Sequence, residues 1–316
     1  STQALYSHFT GVRRAPQLSP ARDGVQLPYP PEDAAVHHIF DGGWVWLLHF
    51  NNGITSSGVA ATTPLVEEIN IAEGHAAWMR LLARIPALAD QFSSVKPVLG
   101  FTHLPQLSFR SGRVAGERWA LLPSAAGFVD PLLSTGFPLT LLGISRLAAA
   151  IDDHWGRRTL AEQLHEYASQ THDELDATAR LIAALYANMN HFAAFRAISL
   201  LYFAAASYAE TARRLDKPHL AESFLLHRDP RFGPASRALL DRARHGIAPH
   251  ESADFVHEVL RAIEPFDVAG LCSQRSLPWY PVEAADLQQA AWKLSASHEE
   301  IARMLERSGF YPALTR

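Results

Sequence analysis

Cysteine and lysine are scarce in this chain of 316 residues. Cys272 is the single cysteine, which excludes a disulfide framework and agrees with a reducing cytoplasm. Only three residues are lysine, and no cluster of lysine and arginine stands out against the net charge of −4. The charge pattern therefore predicts no nucleic-acid partner.

Long apolar runs are missing as well. The longest largely apolar run, residues 197–208, has 12 residues, whereas a helix that crosses a bilayer needs about 20. The N-terminus carries no signal pattern. Because 48% of the residues are hydrophobic, the chain can still build a substantial core. These features predict a cytoplasmic protein with no membrane partner.

Three functional signatures are absent. No G-x-S-x-G nucleophile elbow occurs and Cys272 stands in no motif, so covalent catalysis has no support. The 16 histidines form no H-E-x-x-H, since His165-Glu166 and His257-Glu258 each lack the second histidine, and no metal site is predicted. The G-x-G-x-x-G fingerprint that binds the diphosphate of a dinucleotide is absent too.

A strand pattern is the first positive signal. Apolar and aromatic side chains alternate from Trp44 to Phe50, and Asn52-Gly53 is the strongest short hairpin signal that a sequence can carry. A second strand is predicted over residues 54–60. Residues 1–118 are therefore predicted to form a domain built on a mixed or antiparallel sheet.

The stretch Leu121–Leu142 combines a strand, a turn of small residues and a helix. Its parts in order are the apolar run 119–122, the small residues Ala125, Ala126 and Gly127, the pair Asp130-Pro131, and Ser134-Thr135-Gly136 before a helix that is predicted to end at Ile151. The N-terminus of such a helix directs N–H groups at an anion or a polarised oxygen. Residues 119–155 are predicted to form this single strand–turn–helix segment.

Residues 156–316 are predicted to be a helical domain. A 3–4 spacing of apolar residues runs from Leu160 to Leu215, with a break predicted near residues 188–190. Further helices are predicted over residues 234–244, 252–263, 284–296 and 298–308, the last with Ser297 and Glu300 as a capping box. The fold class that follows is α+β.

Two of these stretches resemble flavin-dependent halogenases and related aromatic-hydroxylase-type flavoproteins. The run from Pro123 to Gly136 resembles their second FAD-contacting motif, in which Gly-Asp-Ala-Ala-Gly-Phe-x-Asp-Pro leads to a Ser-Thr/Ser-Gly turn beside the flavin ring. Trp44-x-Trp46-x-Leu48 resembles the family's Trp-x-Trp-x-Ile-Pro signature, with His49 in place of the proline. The resemblance covers roughly residues 1–155 and implies a partial FAD-binding-type flavoprotein fold.

The resemblance implies an FAD-dependent oxidoreductase of halogenase type. In that family reduced flavin and oxygen serve to oxidise a halide, here with chloride as the candidate, and an aromatic or other small organic substrate is modified. The residues implied to bind FAD are Ser124, Ala125, Ala126, Gly127, Asp130, Pro131, Ser134, Thr135 and Gly136. Those implied to lie near substrate and halide are Trp44, Trp46, His49, Thr135 and Gly136, with Tyr202, Trp279 and Tyr280 as candidate wall residues. No catalytic residue carries over, because the family's assisting lysine has no matching motif in this chain.

Departures from the family pattern leave alternatives open. Pro123-Ser124 replaces the family's Gly-Asp, and Leu133 stands where tryptophan-type members have Glu, which favours phenol- or pyrrole-type members. The alternatives are a flavin monooxygenase or reductase that does not halogenate, and a degenerate, non-catalytic flavoprotein fold used for binding.

Because the dinucleotide fingerprint is absent, the unit that binds the nucleotide half of FAD is expected to lie outside these residues or to be lost. A nucleotide-binding unit of about 100–150 residues is expected to precede Ser1, to be supplied by a second chain, or to be lost. A flavin reductase is the other expected protein partner. With part of the flavoprotein fold absent, exposed strand edges and apolar surface are expected, and with them association with another chain or poor solubility.

Overall fold

The computed structural model describes residues 2–14, 30–273 and 282–309, which form two compact units. The first unit extends to Phe109 and the second begins at Arg110. The candidate wall residues Trp279 and Tyr280 lie outside the described residues. So does most of the stretch 16–33, whose prolines and polar residues predict a loop.

The first unit is built on an antiparallel sheet. Its strands are β1 (Thr2–Thr10), β2 (Val36–Phe40), β3 (Gly43–His49), β4 (Ile54–Thr62), β5 (Lys96–Pro97) and β6 (Thr102–Leu104). Their order is β2-β3-β4-β1-β5, and β6 also pairs with β1. The hairpin between β3 and β4 turns at the predicted Asn52-Gly53, where Gly53 has a φ of +78°. The predicted hairpin is confirmed.

Three helices cover one face of this sheet. They are α1 (Thr63–Ile69), α2 (His75–Arg84) and α3 (Pro86–Gln91). Val45 and Leu47 of β3 belong to the buried cluster that these helices complete, whereas Trp44 and Trp46 alternate to the opposite face. The spacing of apolar residues predicts a helix over residues 73–92 that Pro86 kinks or breaks. The break is observed, because α2 ends at Arg84 and Pro86 cannot continue the hydrogen-bond ladder.

The second unit begins with short elements around the flavin-type motif. After β7 (Phe109–Arg110), which spans the boundary of the units, come β8 (Ala115–Gly116), β9 (Trp119–Ala120), α4 (Pro123–Ala126), β10 (Gly127–Phe128) and α5 (Gly136–His154). The predicted strand 119–122 is thus shorter than expected, since Pro123 starts a helical turn. The helix that follows ends at His154, three residues beyond the prediction.

Helices make up the rest of the second unit. They are α6 (Thr159–Tyr186), α7 (Phe192–Arg214), α8 (Phe232–Ala243), α9 (Ser252–Ile263), α10 (Ala284–Gln289) and α11 (His298–Arg307). The break predicted near residues 188–190 separates α6 from α7. Ser297 caps α11 and Glu300 completes the predicted capping box. The predicted helix 284–296 is interrupted, because α10 ends at Gln289 and a 310 turn covers Ala291–Leu294.

The α+β class is confirmed, with an antiparallel sheet followed by a helical region. The compact units do not follow the three predicted segments, because α5 and α6 lie in the same unit. Arg146 of α5 pairs with Glu174 of α6 through two hydrogen bonds of 2.7 and 2.6 Å, and Glu174 is buried. How function divides over the segments 1–118, 119–155 and 156–316 stays a prediction.

Two helical stretches are long and apolar enough to cross a membrane by length and composition alone. They are Leu132–His154, which contains α5 and has 22% of its apolar window buried, and Phe192–Arg214, which is α7 and has 61% buried. The longest apolar run of the sequence, residues 197–208, is the central part of α7, and polar residues interrupt the apolar positions of both stretches. The burial of α7 is typical of a core helix of a globular protein.

Candidate functional site

The segment from Leu121 to Gly136 is held in place by hydrogen bonds from the surrounding helices and loops. Tyr167 of α6 donates its hydroxyl to the Leu121 carbonyl at 2.8 Å. The Ser111 amide donates to the Ala126 carbonyl, also at 2.8 Å. These contacts position the small-residue turn against α6, although they come from residues that are distant in sequence.

Pro123 replaces the glycine of the family motif and packs against α5. A Cβ atom added to Gly143 of α5 would lie 2.4 Å from Cγ of Pro123, so the proline ring occupies the space that a side chain would need. Pro123 is buried, whereas Ser124 beside it is exposed. The departure at Pro123 therefore serves packing and leaves the Ser124 hydroxyl on the surface.

Asp130 organises the turn that leads into α5. Its side chain is only 2% exposed. Oδ1 accepts a hydrogen bond from the Leu132 amide at 3.0 Å, and Oδ2 accepts one from the Tyr186 hydroxyl at 2.9 Å. Both carboxylate oxygens thus bind the protein's own chain, and Asp130 acts on the conformation of the turn.

The turn itself contains two strained residues. Leu133 and Ser134 have φ values of +60° and +52°, a region that costs a non-glycine residue about 1–3 kcal/mol and that occurs often at ligand sites. A similar pair, Leu225 and Leu226, lies elsewhere in the second unit. Positive φ values alone therefore do not identify a ligand site. The turn at Leu133 and Ser134 is a candidate site because it also lies in the family motif.

The start of α5 contains amide groups that have no acceptor within the helix. The N–H groups of Gly136 and Phe137 belong to the first turn, where no intrahelical acceptor exists, and Pro138 has no N–H. The first helical bond that follows is from the Leu139 amide to the Thr135 carbonyl, at 3.4 Å. The side chain of Thr135 makes no capping bond. An anion or a polarised ring oxygen is the ligand that such a helix start binds.

The nine residues predicted to bind FAD lie together in this one segment, but their accessibility differs. Ser124, Ala125 and Ser134 are exposed, and Pro131 and Gly136 are partly exposed. The other four, Ala126, Gly127, Asp130 and Thr135, are buried. The exposed and partly exposed residues can contact a ligand directly. The four buried residues act on the conformation of the backbone.

Two of the predicted substrate residues, Trp44 and Trp46, form an aromatic cluster on the sheet face opposite α1 and α2. His49 alternates with them along β3 and lies on the other face, with Val45 and Leu47. The ring centroids of Trp44 and Trp46 are 5.6 Å apart, and His37 and Tyr6 flank them at 4.6 Å from Trp44 and 6.3 Å from Trp46. Trp46 lies over Gly58, where an added Cβ would come within 2.4 Å of the indole. Trp44 is buried like a core residue, whereas Trp46 is partly exposed.

Burial favours the neutral form of His37, His38 and His49 of this sheet, because it lowers the pKa of each. Burial, with a second contribution from His38, lowers the pKa of His37 from 6.5 to about 4. Burial is also the largest cause that lowers the pKa of His49, and the positive charge of Arg14 is the second. The Nδ1 atom of His49 lies 2.8 Å from the Thr55 hydroxyl oxygen. At neutral pH these rings are uncharged hydrogen-bonding groups.

Trp44, Trp46 and His49 belong to the first unit, and Thr135 and Gly136 belong to the second. The prediction that all five border one halide and substrate site stays a prediction. Among the described residues, no group of three or more His, Cys, Asp or Glu side chains could hold a metal ion. Burial, followed by the charge of Asp267, raises the pKa of Cys272 to about 12, so its thiol is protonated and unreactive at neutral pH.

Sequence reasoning missed two residues of the segment, Tyr167 and Tyr186. Each supplies a hydroxyl to the motif from α6, across 46 and 56 positions of sequence respectively. Their spacing in α6 marked them only as part of an apolar helix face. No local signal in the sequence links either tyrosine to the motif.

Curated relatives of this chain are halogenases. The monodechloroaminopyrrolnitrin halogenase PrnC of Pseudomonas fluorescens is 30% identical over 156 residues, which are 48% of this chain and 27% of that protein. The tetracycline 7-halogenase of Kitasatospora aureofaciens is 29% identical over 153 residues, or 46% of this chain and 27% of that protein. The chain thus spans about a quarter of the length of these relatives. No protein-family profile matches the sequence.

Solved structures of similar fold are halogenases as well. The structure of halogenase PltM matches with a TM-score of 0.68 and 21% identity, over 86% of this chain and 60% of that chain. The flavin-dependent brominase Bmp2 matches with a TM-score of 0.51 and 18% identity, over 84% of this chain and 56% of that chain. Over about half of its length this chain is a sequence relative of flavin-dependent halogenases, and over most of its length it has their fold.

Proposed function

We propose that this chain provides the substrate sheet and the flavin-ring segment of an FAD-dependent halogenase. The reaction is the oxidation of a halide at the expense of oxygen, followed by halogenation of a small aromatic or other organic compound. Reduced FAD, when bound, would supply two of the four electrons that reduce oxygen to water, and the halide would supply the other two. Chloride is the first candidate halide, and the cytoplasm is the proposed compartment.

The observation that carries this proposal is the turn between Asp130 and Gly136. It resembles the family motif in sequence, and its backbone ends in the N–H groups of Gly136 and Phe137, which have no acceptor within α5. The hydrogen bonds of Asp130 to the Leu132 amide and the Tyr186 hydroxyl stabilise this backbone, including the positive φ of Leu133 and Ser134. Amide donors that are already in position suit an electron-rich ring oxygen or a halide, because the protein does not have to reorganise when either one binds.

Further residues of the segment are proposed to contact the flavin, although serine replaces the first aspartate of the family motif. The Ser124 hydroxyl is exposed beside the buried Pro123 and is proposed to bind the ribityl chain, where the family has an aspartate. Ala125, Ser134 and Gly136 would let the ring approach the backbone closely, because their side chains are small or absent.

The substrate is proposed to be a small aromatic compound. The named relatives act on monodechloroaminopyrrolnitrin and tetracycline, and PltM has been crystallised with phloroglucinol and FAD. Leu133 in place of a glutamate favours phenol- or pyrrole-type substrates. Trp46 and Trp44 of the first unit are proposed to form the wall next to the substrate.

Two protein partners follow from the reaction. A flavin reductase is proposed to deliver the reduced cofactor. A polypeptide that carries a dinucleotide-binding fingerprint is proposed to hold the adenylate half of FAD, since the 316 residues contain no such fingerprint.

Flavin titration tests the proposal directly. The purified chain is titrated with FAD and with FMN, which lacks the adenylate half, and bound flavin is followed by its visible absorption and by quenching of its fluorescence. We expect binding of both. Asp130→Ala would leave the Leu132 amide and the Tyr186 hydroxyl without their acceptor, and flavin affinity should fall at least about 10-fold.

Asp152→Ala is the matched control, because Asp152 is an exposed aspartate at the far end of α5. It should bind flavin like the unmodified chain. If the unmodified chain binds neither flavin, or if Asp130→Ala binds as well as the control, the flavin-ring assignment is wrong.

A further inference from the structure

A polar cavity lies between α6, α8 and the loop over residues 223–228, all within the second unit. Its volume is about 470 Å³, which is typical of a site for a small molecule. The wall combines charged side chains with the apolar side chains of Ala177, Leu225 and Leu240. None of its residues belongs to the proposed flavin segment or to the aromatic cluster of the first unit, so the cavity has no role in the proposed reaction.

The charges in the wall of this cavity are compensated except at Arg237 of α8. The other charged residues of the wall are in ion pairs, which are Asp173–Arg228, Asp176–Arg110 and Arg180–Asp241. Among the described residues, none forms an ion pair with Arg237. The cavity therefore has one uncompensated positive charge, and the planar guanidinium group that carries it suits a carboxylate.

His227 adds a hydrogen-bond acceptor to the same wall. Its Nδ1 atom lies 3.0 Å from the carbonyl oxygen of Phe224. A carbonyl oxygen can only accept, so Nδ1 carries the hydrogen, and Nε2 of the neutral ring is an acceptor. Nε2 is buried and has no hydrogen-bond partner among the described residues. A buried acceptor of this kind requires a donor from outside the protein, either from solvent or from a ligand.

The loop that carries His227 has an unusual backbone conformation. Leu225 and Leu226 have φ values of +56° and +51°. The buried carboxylate of Glu174 accepts a hydrogen bond of 2.7 Å from the Phe224 amide and so fixes the start of the loop. Positive φ values occur often where a loop is shaped around a ligand. Here they coincide with a cavity and with a buried acceptor that lacks a partner, which the positive φ values alone would not establish.

We infer that this cavity binds a small organic anion, namely a carboxylate that also carries a hydroxyl group. The carboxylate accepts hydrogen bonds from Arg237, the hydroxyl group donates to Nε2 of His227, and the organic part contacts Leu225 and Leu240. A ligand without the carboxylate would leave Arg237 unpaired, and one without the hydroxyl would leave Nε2 without a donor. This site goes beyond the proposed function and does not depend on it.

Isothermal titration calorimetry of the full chain tests the inference, at about pH 8, where an ordinary imidazole is neutral. The probes are 4-hydroxybenzoate and 3-hydroxybenzoate, which hold the hydroxyl group at different distances from the carboxylate, and benzoate, which has no hydroxyl group. We expect at least one hydroxybenzoate to bind about 10-fold more tightly than benzoate, because benzoate leaves Nε2 of His227 unsatisfied.

Three variants assign the binding to this cavity. Arg237→Gln should weaken the binding of the hydroxybenzoate at least about 10-fold. Arg157→Gln is the matched control, because Arg157 is an exposed arginine outside the cavity, and it should bind like the unmodified chain. His227→Asn retains a donor for the Phe224 carbonyl but lacks Nε2, so it should bind hydroxybenzoate and benzoate equally. Urea denaturation checks that each variant is folded.

Several outcomes would overturn the inference. If neither hydroxybenzoate binds the unmodified chain at millimolar concentrations, the cavity holds solvent alone. Binding that Arg237→Gln leaves unchanged would place the compound elsewhere. Binding that Trp46→Ala abolishes and Arg237→Gln does not would assign the compound to the proposed substrate wall of the first unit, which would support the proposed function and overturn this inference. Equal affinities for benzoate and both hydroxybenzoates would contradict the role of His227.

Discussion

At the scale of single residues, the polar groups that matter most are buried and bound to the protein's own chain. Asp130 and Glu174 are each nearly inaccessible, and each accepts hydrogen bonds from residues far away in sequence. Removing such a partner leaves a buried group unsatisfied, which costs more than the hydrogen bond itself contributes. The conformation of the flavin-type turn therefore depends on α6 as much as on the motif.

His37 should make the first unit sensitive to acid. Its pKa is about 4 in the folded protein and 6.5 in the unfolded chain, so between these values the unfolded chain binds more protons. The stabilising contribution is complete above about pH 6.5 and is lost as the pH falls toward 4. The difference of about 2.5 pH units corresponds to at most about 3 kcal/mol.

Urea denaturation at several pH values between 4 and 7 measures this effect. His37→Gln should lose less stability over this range than the unmodified protein. His250→Gln, a change at an exposed histidine, should lose as much as the unmodified protein does. Equal pH slopes for the unmodified protein and His37→Gln would contradict the assignment.

At the scale of elements, α5 connects the motif to the helical part of the second unit. Its buried side meets Pro123 at Gly143, and Arg146 binds Glu174 of α6. Because the helix starts at Gly136, any displacement of α5 moves the amide groups that are proposed to bind the flavin or the halide. Packing along α5 and the geometry of the proposed site are thus coupled.

Gly143→Ala should destabilise the protein by about 1–2 kcal/mol. The new Cβ would lie 2.4 Å from the Pro123 ring, and the cost of this overpacking exceeds the gain in helix propensity. Gly112→Ala is the control, because nothing lies within 4 Å of a Cβ at that position. The midpoints of urea denaturation should shift for the first variant only, and an unshifted midpoint for Gly143→Ala would show that Pro123 can move aside.

At the scale of the whole molecule, each compact unit has an aromatic core of its own. In the first unit the ring centroids of Phe9 and Trp78 are 5.7 Å apart. In the second, Phe266 lies 5.2 Å from Tyr208 and 5.1 Å from Phe232. Separate cores are the property that allows parts of a chain to fold independently.

Residues 110–316 should therefore fold when expressed alone, whereas residues 156–316 should not fold stably. The shorter fragment lacks α5 and leaves the buried Glu174 without Arg146, and an unpaired buried charge costs about 3–5 kcal/mol. Thermal unfolding followed by circular dichroism distinguishes the two cases. A cooperative transition for residues 156–316 would instead support the predicted domain boundary at residue 156.

Local features of this protein were determined by the sequence alone. The hairpin at Asn52-Gly53, the break at Pro86, the capping box at Ser297 and the start of α9 at Ser252 agree with prediction, because each depends on residues within about four positions. The strand–turn–helix order around Asp130 was also readable, since the motif is contiguous. The relation to flavin-dependent halogenases followed from these contiguous motifs.

Only the tertiary structure decided which side of each element is covered. The sequence of α5 is apolar on two sides, and it does not tell that Leu139 is buried while Phe137 is exposed. Nor does it tell that Tyr186 binds Asp130, or that Pro123 fills the space beside Gly143. These facts depend on contacts between residues that are distant along the chain, and such contacts form only when the elements pack.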